Sequence, residues 1–133
     1  ADALMERMEL ADKGKKLGKE LSKGMQQKLS ICCALLPRPR VVLFDEPLVG
    51  LDPHAIKELK TIIQELRAEG CAVLISTHML DSVEEFWDKT LIMMNGTIAA
   101  VRTRREIEET GENLEQLFFS ITESGRTEAG DAQ

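Results

Sequence analysis

The chain has 133 residues, of which 43% are hydrophobic and 30% charged, and a net charge of −6 at pH 7; that is enough for one domain with a core. Its apolar residues fall in short separated blocks, none near the roughly 20 needed to cross a bilayer, and no secretory signal is read at its start. Cys32, Cys33 and Cys71 lack any Cys-x-x-Cys or Cys/His spacing that would hold zinc, so they read as reduced, buried, cytosolic thiols.

Charge is laid out unevenly. Lys13, Lys15, Lys16, Lys19, Lys23 and Lys28 crowd the first part, and Glu106, Glu108, Glu109, Glu112, Glu115, Glu123, Glu128 and Asp131 the last. A basic segment can track nucleic acid, but no aromatics interleave with these lysines, so no nucleic-acid partner is expected and the run reads as a solvated face.

In chain order, Leu4, Met8 and Ala11 sit at helical spacing in a first helix over Ala3 to Ala11, and a Gly/Lys-rich connector follows from Lys13 to Glu20. A second helix presents Met25, Leu29, Cys32 and Leu36 on one face, with Ser22 as N-cap and Pro37-Arg38-Pro39 as its stop. Val41 to Phe44 is a continuous apolar run, the pattern of a parallel strand covered on both faces. Asp52 caps a third helix opened by Pro53, whose stripe is Ile56, Leu59, Ile63 and Leu66 and whose end is Gly70. Cys71 to Ile75 is a second buried strand. Leu80 to Phe86 reads as a short helix with Ser82 and Glu85 in capping-box spacing. Lys89 to Met94 and Thr97 to Arg102 flank Asn95-Gly96, a two-residue hairpin signal. Glu112 to Ile121 is an amphipathic closing helix with Leu114, Leu117, Phe118 and Ile121, and a disordered tail is expected over 122–133.

The fold class is therefore α/β. Val41 to Ile75 reads as a βαβ unit whose two strands lie parallel in one sheet, with their carboxyl ends on the same edge. In open α/β sheets that edge binds ligands. Asp45 and Glu46 end the first strand, and Ser76, Thr77 and His78 the second, so residues far apart in sequence are predicted to converge. Two adjacent carboxylates at the end of a buried strand are costly to desolvate unless a positive charge lies near. A Mg²⁺ ion with a polyphosphate would supply it: Asp45 would hold the metal, Glu46 would deprotonate the attacking water, and His78 would hydrogen-bond the same phosphate. The plainer alternatives are that both acids cap the following turn and that His78 merely precedes a helix.

Taken together, Leu21-Ser22-Lys23-Gly24-Met25-Gln26-Gln27, then Val41-Val42-Leu43-Phe44-Asp45-Glu46-Pro47, Gly50-Leu51-Asp52-Pro53 and Ser76-Thr77-His78 resemble the ABC-type ATPase domain. In order and spacing they are similar to that family's signature motif, Walker B strand, D-loop and switch histidine, and the resemblance runs from the first helix to about Arg102. It implies a partial P-loop NTPase fold: a parallel βαβ core, a helical signature segment over 1–40, and a catalytic sheet portion with a hairpin and closing helix over 41–121. It also implies ATP and Mg²⁺ as cofactors, Glu46 and His78 as catalytic, and Asp45 as metal-binding. Two such domains close head to tail, so Ser22, Lys23, Gly24 and Met25 would contact ATP held by a second ABC ATPase domain, and Asp52 would signal across that dimer. Gly24 would let backbone approach phosphate, and the amides near Ser22 would form an anion site. Plain N-capping by Ser22 and by Asp52 stands beside these roles. Lys23 stands where the family often has Gly, Met25 where it often has Gln, and Leu48 replaces a small hydroxyl residue.

A phosphate-binding loop, Gly-x-x-x-x-Gly-Lys-[Ser/Thr], is missing. Gly14-Lys15 has Glu9 where Gly is required and Lys16 after it; Gly18-Lys19 has Lys13 and Glu20 in those places. No Gln precedes the signature to serve as a Q-loop, and the chain opens Ala1-Asp2 without an initiator Met. The expectation is the carboxyl-terminal portion of a longer ATPase, inactive alone. Its full-length parent is expected to power an exporter-like transporter through separate membrane permease subunits, on the inner face of the cell membrane. The alternatives are a soluble ABC ATPase acting on ribosomes or DNA, and a nonenzymatic module using Met25 and the acidic tail as contact surfaces.

Overall fold

The computed structural model describes residues 2–15 and 18–130. The chain divides into two compact units, one ending at His78 and the other starting at Met79.

The first unit holds α1 (Asp2–Arg7), 3₁₀ turns at Ala11–Lys13 and Gly18–Glu20, α2 (Lys23–Leu35), β1 (Val41–Asp45), α3 (Pro53–Ala68) and β2 (Ala72–Ser76). Both long helices start as their sequences dictate. Ser22 takes an extended backbone and its hydroxyl accepts the Met25 N–H, while Asp52 accepts the Ala55 N–H ahead of Pro53 in the first turn. Such caps satisfy amide donors that the helix itself leaves orphaned. The two strands pair in parallel, Val41 opposite Ala72 through Asp45 opposite Ser76. The expected βαβ unit is thus present, with both carboxyl ends on one edge.

The core of this unit comprises Met8, Leu10, Ile31, Cys32, Leu35, Val42, Phe44, Leu48, Ala55, Leu59, Ile62 and Ile63. Each large side chain among them contributes about 1.5–3 kcal/mol by leaving water. Leu48, one of the three departures noted in the sequence, is 2% exposed and pins the loop after β1 into this core. Arg7 ties α1 to α3: its guanidinium grips Glu65 through two nitrogens, at 2.7 and 3.1 Å, and also pairs with Glu58. Glu58 and Glu65 lie seven positions apart, two turns along one helical face.

Several expectations are corrected. The buried face of α2 is Lys28, Ile31, Cys32 and Leu35, with Leu36 exposed, and α3 buries Ala55, Leu59, Ile62 and Ile63. Only Cys32 of the three free cysteines is buried. The strands are not covered on both faces. Val42 and Phe44 are buried, but Val41, Leu43 and Leu74 on the opposite face are exposed by 61, 73 and 53%. An apolar run records what a strand can bury, whether or not a covering layer is present.

The second unit holds α4 (Leu80–Val83), β3 (Lys89–Met94), β4 (Thr97–Thr103), α5 (Arg104–Thr110) and α6 (Leu114–Gly130). The hairpin turns on Asn95 and Gly96, both at positive φ (50° and 76°) as a type I′ turn requires. Helix α4 is shorter than expected, and Met79, which precedes it, makes no side-chain cap. The capping box falls instead between Thr103 and Glu106, where it opens α5, an element absent from the sequence reading. Asn113 and Gln116 exchange side-chain-to-backbone hydrogen bonds at the start of α6. That helix continues past Ile121 to Gly130, and residues 131–133 of the expected tail lie outside the described ones. No breaker stands at Thr122, whose hydroxyl donates to the Phe118 carbonyl one turn back. Ile92, Ala100, Ile107 and Leu117 form the core of this unit, with Trp87, Phe118 and Ile121 packed against them.

Candidate active site

Parallel pairing brings the ends of β1 and β2 together. Asp45 lies opposite Ser76, whose hydroxyl donates to Asp45 Oδ1. One residue on, the Glu46 N–H donates to the Ser76 carbonyl at 2.9 Å, and the backbone there turns into the left-handed region at φ +46°. Few residues other than Gly adopt that conformation without strain.

The turn delivers the Glu46 carboxylate to the residues after β2. Thr77 Oγ1 donates to Oε2 at 3.0 Å, the His78 N–H donates to Oε1 at 3.1 Å, and His78 Nδ1 lies 2.7 Å from the same oxygen. An ionised carboxylate only accepts, so Nδ1 carries a proton and donates to it. The His78 hydrogen bond is the largest influence on Glu46. With the Thr77 hydroxyl it outweighs partial burial and holds the carboxyl below its ordinary value. Glu46 is therefore ionised at neutral pH and oriented by three donors.

Asp45 is exposed, and its neighbouring donor is the Ser76 hydroxyl. Carboxylate and hydroxyl oxygens suit a hard cation such as Mg²⁺ rather than a thiolate- or imidazole-seeking metal. Asp45, Glu46 and His78 thus converge as the sequence predicted, together with Ser76 and Thr77.

Ser22, Lys23, Gly24 and Met25 form a second group at the N-terminus of α2. Among the described residues, the hydrogen-bonded link from α2 to Glu46 comes from Gln27, whose Nε2 donates to the Glu46 and Pro47 carbonyls at 3.5 and 3.4 Å. Gly24 has a reason of its own to be Gly: a Cβ there would lie 2.6 Å from the Gly50 carbonyl oxygen, so α2 crosses the loop after β1 at a distance only hydrogen allows.

Asp52 does more than cap α3. Its Oδ1 accepts the Ala55 N–H at 2.9 Å, and its Oδ2 meets Lys28 Nζ at 2.8 Å. The Lys28 hydrogen bond, followed by the Ala55 amide, lowers its pKa to about 2. Lys28, read from the sequence as part of a solvated run, is buried, and a signal existed: it stands at i, i+3, i+4 and i+7 spacing with Ile31, Cys32 and Leu35. A lysine on an apolar stripe needs a carboxylate partner.

A family model described as "AAA domain, putative AbiEii toxin, Type IV TA system" matches residues 14–80, half of the chain. Over 105 residues the chain is 39% identical to the ABC-type transporter ATP-binding protein EcsA of Bacillus subtilis, covering 76% of this chain and 42% of that protein. Over 115 residues it is 38% identical to the lantibiotic transport ATP-binding protein SrtF of Streptococcus pyogenes, covering 86% of this chain and 48% of that one. Among solved structures, an ATP-binding subunit of an ABC transporter superposes with a TM-score of 0.84 at 35% identity, over 90% of this chain and 52% of that one. A nucleotide-free ATP-binding cassette from an ABC transporter does so with a TM-score of 0.66 at 30% identity, over 80% of this chain and 43% of that one. The chain spans about half the length of the relatives it matches.

Proposed function

The chain belongs to the family of ABC transporter ATP-binding domains, and from that premise we propose that it is the carboxyl-terminal portion of an ATP-hydrolysing transporter subunit. In this reading it carries the carboxylates of hydrolysis, while the phosphate-binding loop belongs to the rest of the parent protein. The observation that carries the proposal is the held Glu46 carboxylate, beside Asp45 and locked to Thr77 and His78.

Asp45 would hold Mg²⁺, which when bound supplies charge neutralisation at the phosphates. Glu46 is the base. Kept ionised by its three donors, it accepts the proton of the attacking water, and it gains basicity when His78 turns its ring away toward a phosphate oxygen. Hydrogen-bonded to Glu46 through Nδ1, His78 reports on nucleotide by that exchange of partners. Ser22, Lys23 and Gly24 serve the nucleotide of a second ATPase domain in a head-to-tail dimer, and Met25 and Asp52 lie at the same junction. In the same reading, which rests on the likeness to transporter ATP-binding proteins, separate permease subunits form the passage and the subunit docks on the inner face of the membrane.

The test is ATP turnover by the full-length protein with and without Glu46→Gln. Loss of hydrolysis with nucleotide still bound is expected; unchanged turnover in the variant removes Glu46 from its role.

A further inference from the structure

The geometry points to Lys28 as a positioning residue: its buried ammonium fixes the Glu46–Asp52 loop against α2 and so sets the angle at which Glu46 is presented. This rests on the reading of Glu46 as the catalytic carboxylate.

Lys28 is the one buried charged side chain among the described residues, 6% exposed on a face it shares with Ile31, Cys32 and Leu35. Two carboxylates meet it, Asp52 at 2.8 Å and Glu9 at 3.4 Å. Glu9 is aimed there by the chain on either side of it: Met8 and Leu10 are fully buried, and the backbone between them turns to φ +57°. His54, in the first turn of α3, stands 3.8 Å from Glu9. Ligand atoms of Glu9, Asp52 and His54 come within 4.8 Å of one another. The ammonium already supplies the positive charge there, so the cluster reads as the counter-charge of Lys28 rather than as a metal site.

Three successive groups on α2 grip the loop along its length. Gly24 abuts the Gly50 carbonyl, Gln27 donates to the carbonyls of Glu46 and Pro47, and Lys28 holds Asp52 at the far end. Burial opposes the charge on Lys28, and the hydrogen bonds to Asp52 and Glu9 outweigh it, leaving the ammonium more firmly protonated than usual.

Stability alone does not account for a lysine here. Apolar side chains of similar volume commonly replace buried ion pairs without loss, and both partners are about half exposed, at 48 and 58%, so neither would be stranded by its removal. Methionine would fill the same slot beside Ile31 and Leu35. What methionine cannot do is fix Asp52.

The experiment compares Lys28→Met, Lys28→Arg and Asp52→Asn in the full-length protein, reading ATP turnover, thermal midpoint and amide hydrogen exchange of residues 46–52. Asparagine caps a helix about as well as aspartate, so Asp52→Asn removes the charge pair while keeping α3 capped. Lys28→Met is expected to lower kcat by about tenfold to a hundredfold with KM and midpoint retained, and to speed exchange in the loop. Lys28→Arg should restore both, and Asp52→Asn, which breaks the same ion pair, should speed exchange in the loop as Lys28→Met does. Unchanged kcat and exchange, or a kcat loss that only follows a fall in the midpoint, overturns the proposal. If the wild type hydrolyses no ATP, the reading of Glu46 fails, and loop exchange still decides whether Lys28 holds the loop: faster exchange at unchanged midpoint upholds that hold, and unchanged exchange overturns it.

Discussion

His78 holds Glu46 twice, through its backbone N–H at 3.1 Å and its ring Nδ1 at 2.7 Å, on one carboxylate oxygen. The residue after the first strand is thereby oriented by the second residue after the other, across a parallel pair whose register ends with Asp45 opposite Ser76.

Removing the ring should be felt in the acid range. Glu46 titrates below its ordinary value of 4.5 in the folded chain, chiefly because of His78. Its contribution to stability is therefore fully present above 4.5 and is lost as pH falls through the lower folded value. In His78→Ala that loss should shrink. Chemical denaturation at a series of acid pH values measures it, and equal slopes in the two proteins would show that the ring does not set the Glu46 charge.

In turnover, Glu46→Gln in the full-length protein should cut kcat by about 10²–10⁴-fold, the usual worth of a positioned base. Glutamine keeps the acceptor for Thr77 and the size of the side chain but takes up no proton. Stopped-time phosphate release is the assay.

Gly24→Ala pits two effects against each other. Alanine favours a helix by about 1 kcal/mol over glycine, but its Cβ would stand 2.6 Å from the Gly50 carbonyl oxygen, and overpacking costs about 1–3 kcal/mol. Because the obstacle is backbone in a loop pinned by Leu48, the clash should win and the urea midpoint should fall. A higher midpoint would mean that α2 and the loop part easily.

Asp52 gives a second acid signature. Its pKa falls from 3.8 to about 2, with Lys28 the first cause, so its contribution holds above 3.8 and disappears as pH drops toward 2. Lys28, Glu9, the Ala55 amide and the nearby His54 are the groups around it. Asp52→Asn should flatten the stability profile over that interval, and the ¹³C shift of the side-chain carboxyl follows the titration directly.

The bare face of β1 and β2 predicts how the chain behaves at high concentration. Val41, Leu43 and Leu74 form a contiguous exposed apolar strip, a known cause of association. Leu43→Lys should reduce light scattering while leaving the thermal midpoint nearly unchanged, since Leu43 is 73% exposed and packs little. Persistent scattering would place the sticky surface elsewhere.

The sequence was most informative where chemistry is local. Asp52-Pro53, Ser22 and Asn95-Gly96 each specify a backbone conformation within a few residues, and the structure has the helix starts and hairpin at those points. The convergence of Glu46 with His78 was also legible, because parallel strands must end on one edge. Periodicity erred where a residue's partner lies far away. Lys28 was assigned to a solvated run although it lies on the buried face of α2, because its counter-charges come from the distant Glu9 and Asp52. Ser82 and Glu85 have capping-box spacing, but Ser82 lies inside α4, whose N-cap position is Met79, whereas Thr103 and Glu106, with the same spacing, open α5 after a strand has set the extended backbone that a cap needs.

The φ of +46° at Glu46 means that the turn and the acid have opposite preferences in residue type. A glycine there would sit unstrained, and strain of this kind typically costs about 1–3 kcal/mol. The loop's shape therefore does not depend on the side chain it displays. A Glu46→Gly chain should relieve that strain while losing the carboxylate's hydrogen bonds to Thr77 and His78, and should leave a cradle of their donors into which formate or acetate can be diffused as a detachable substitute for the missing carboxylate.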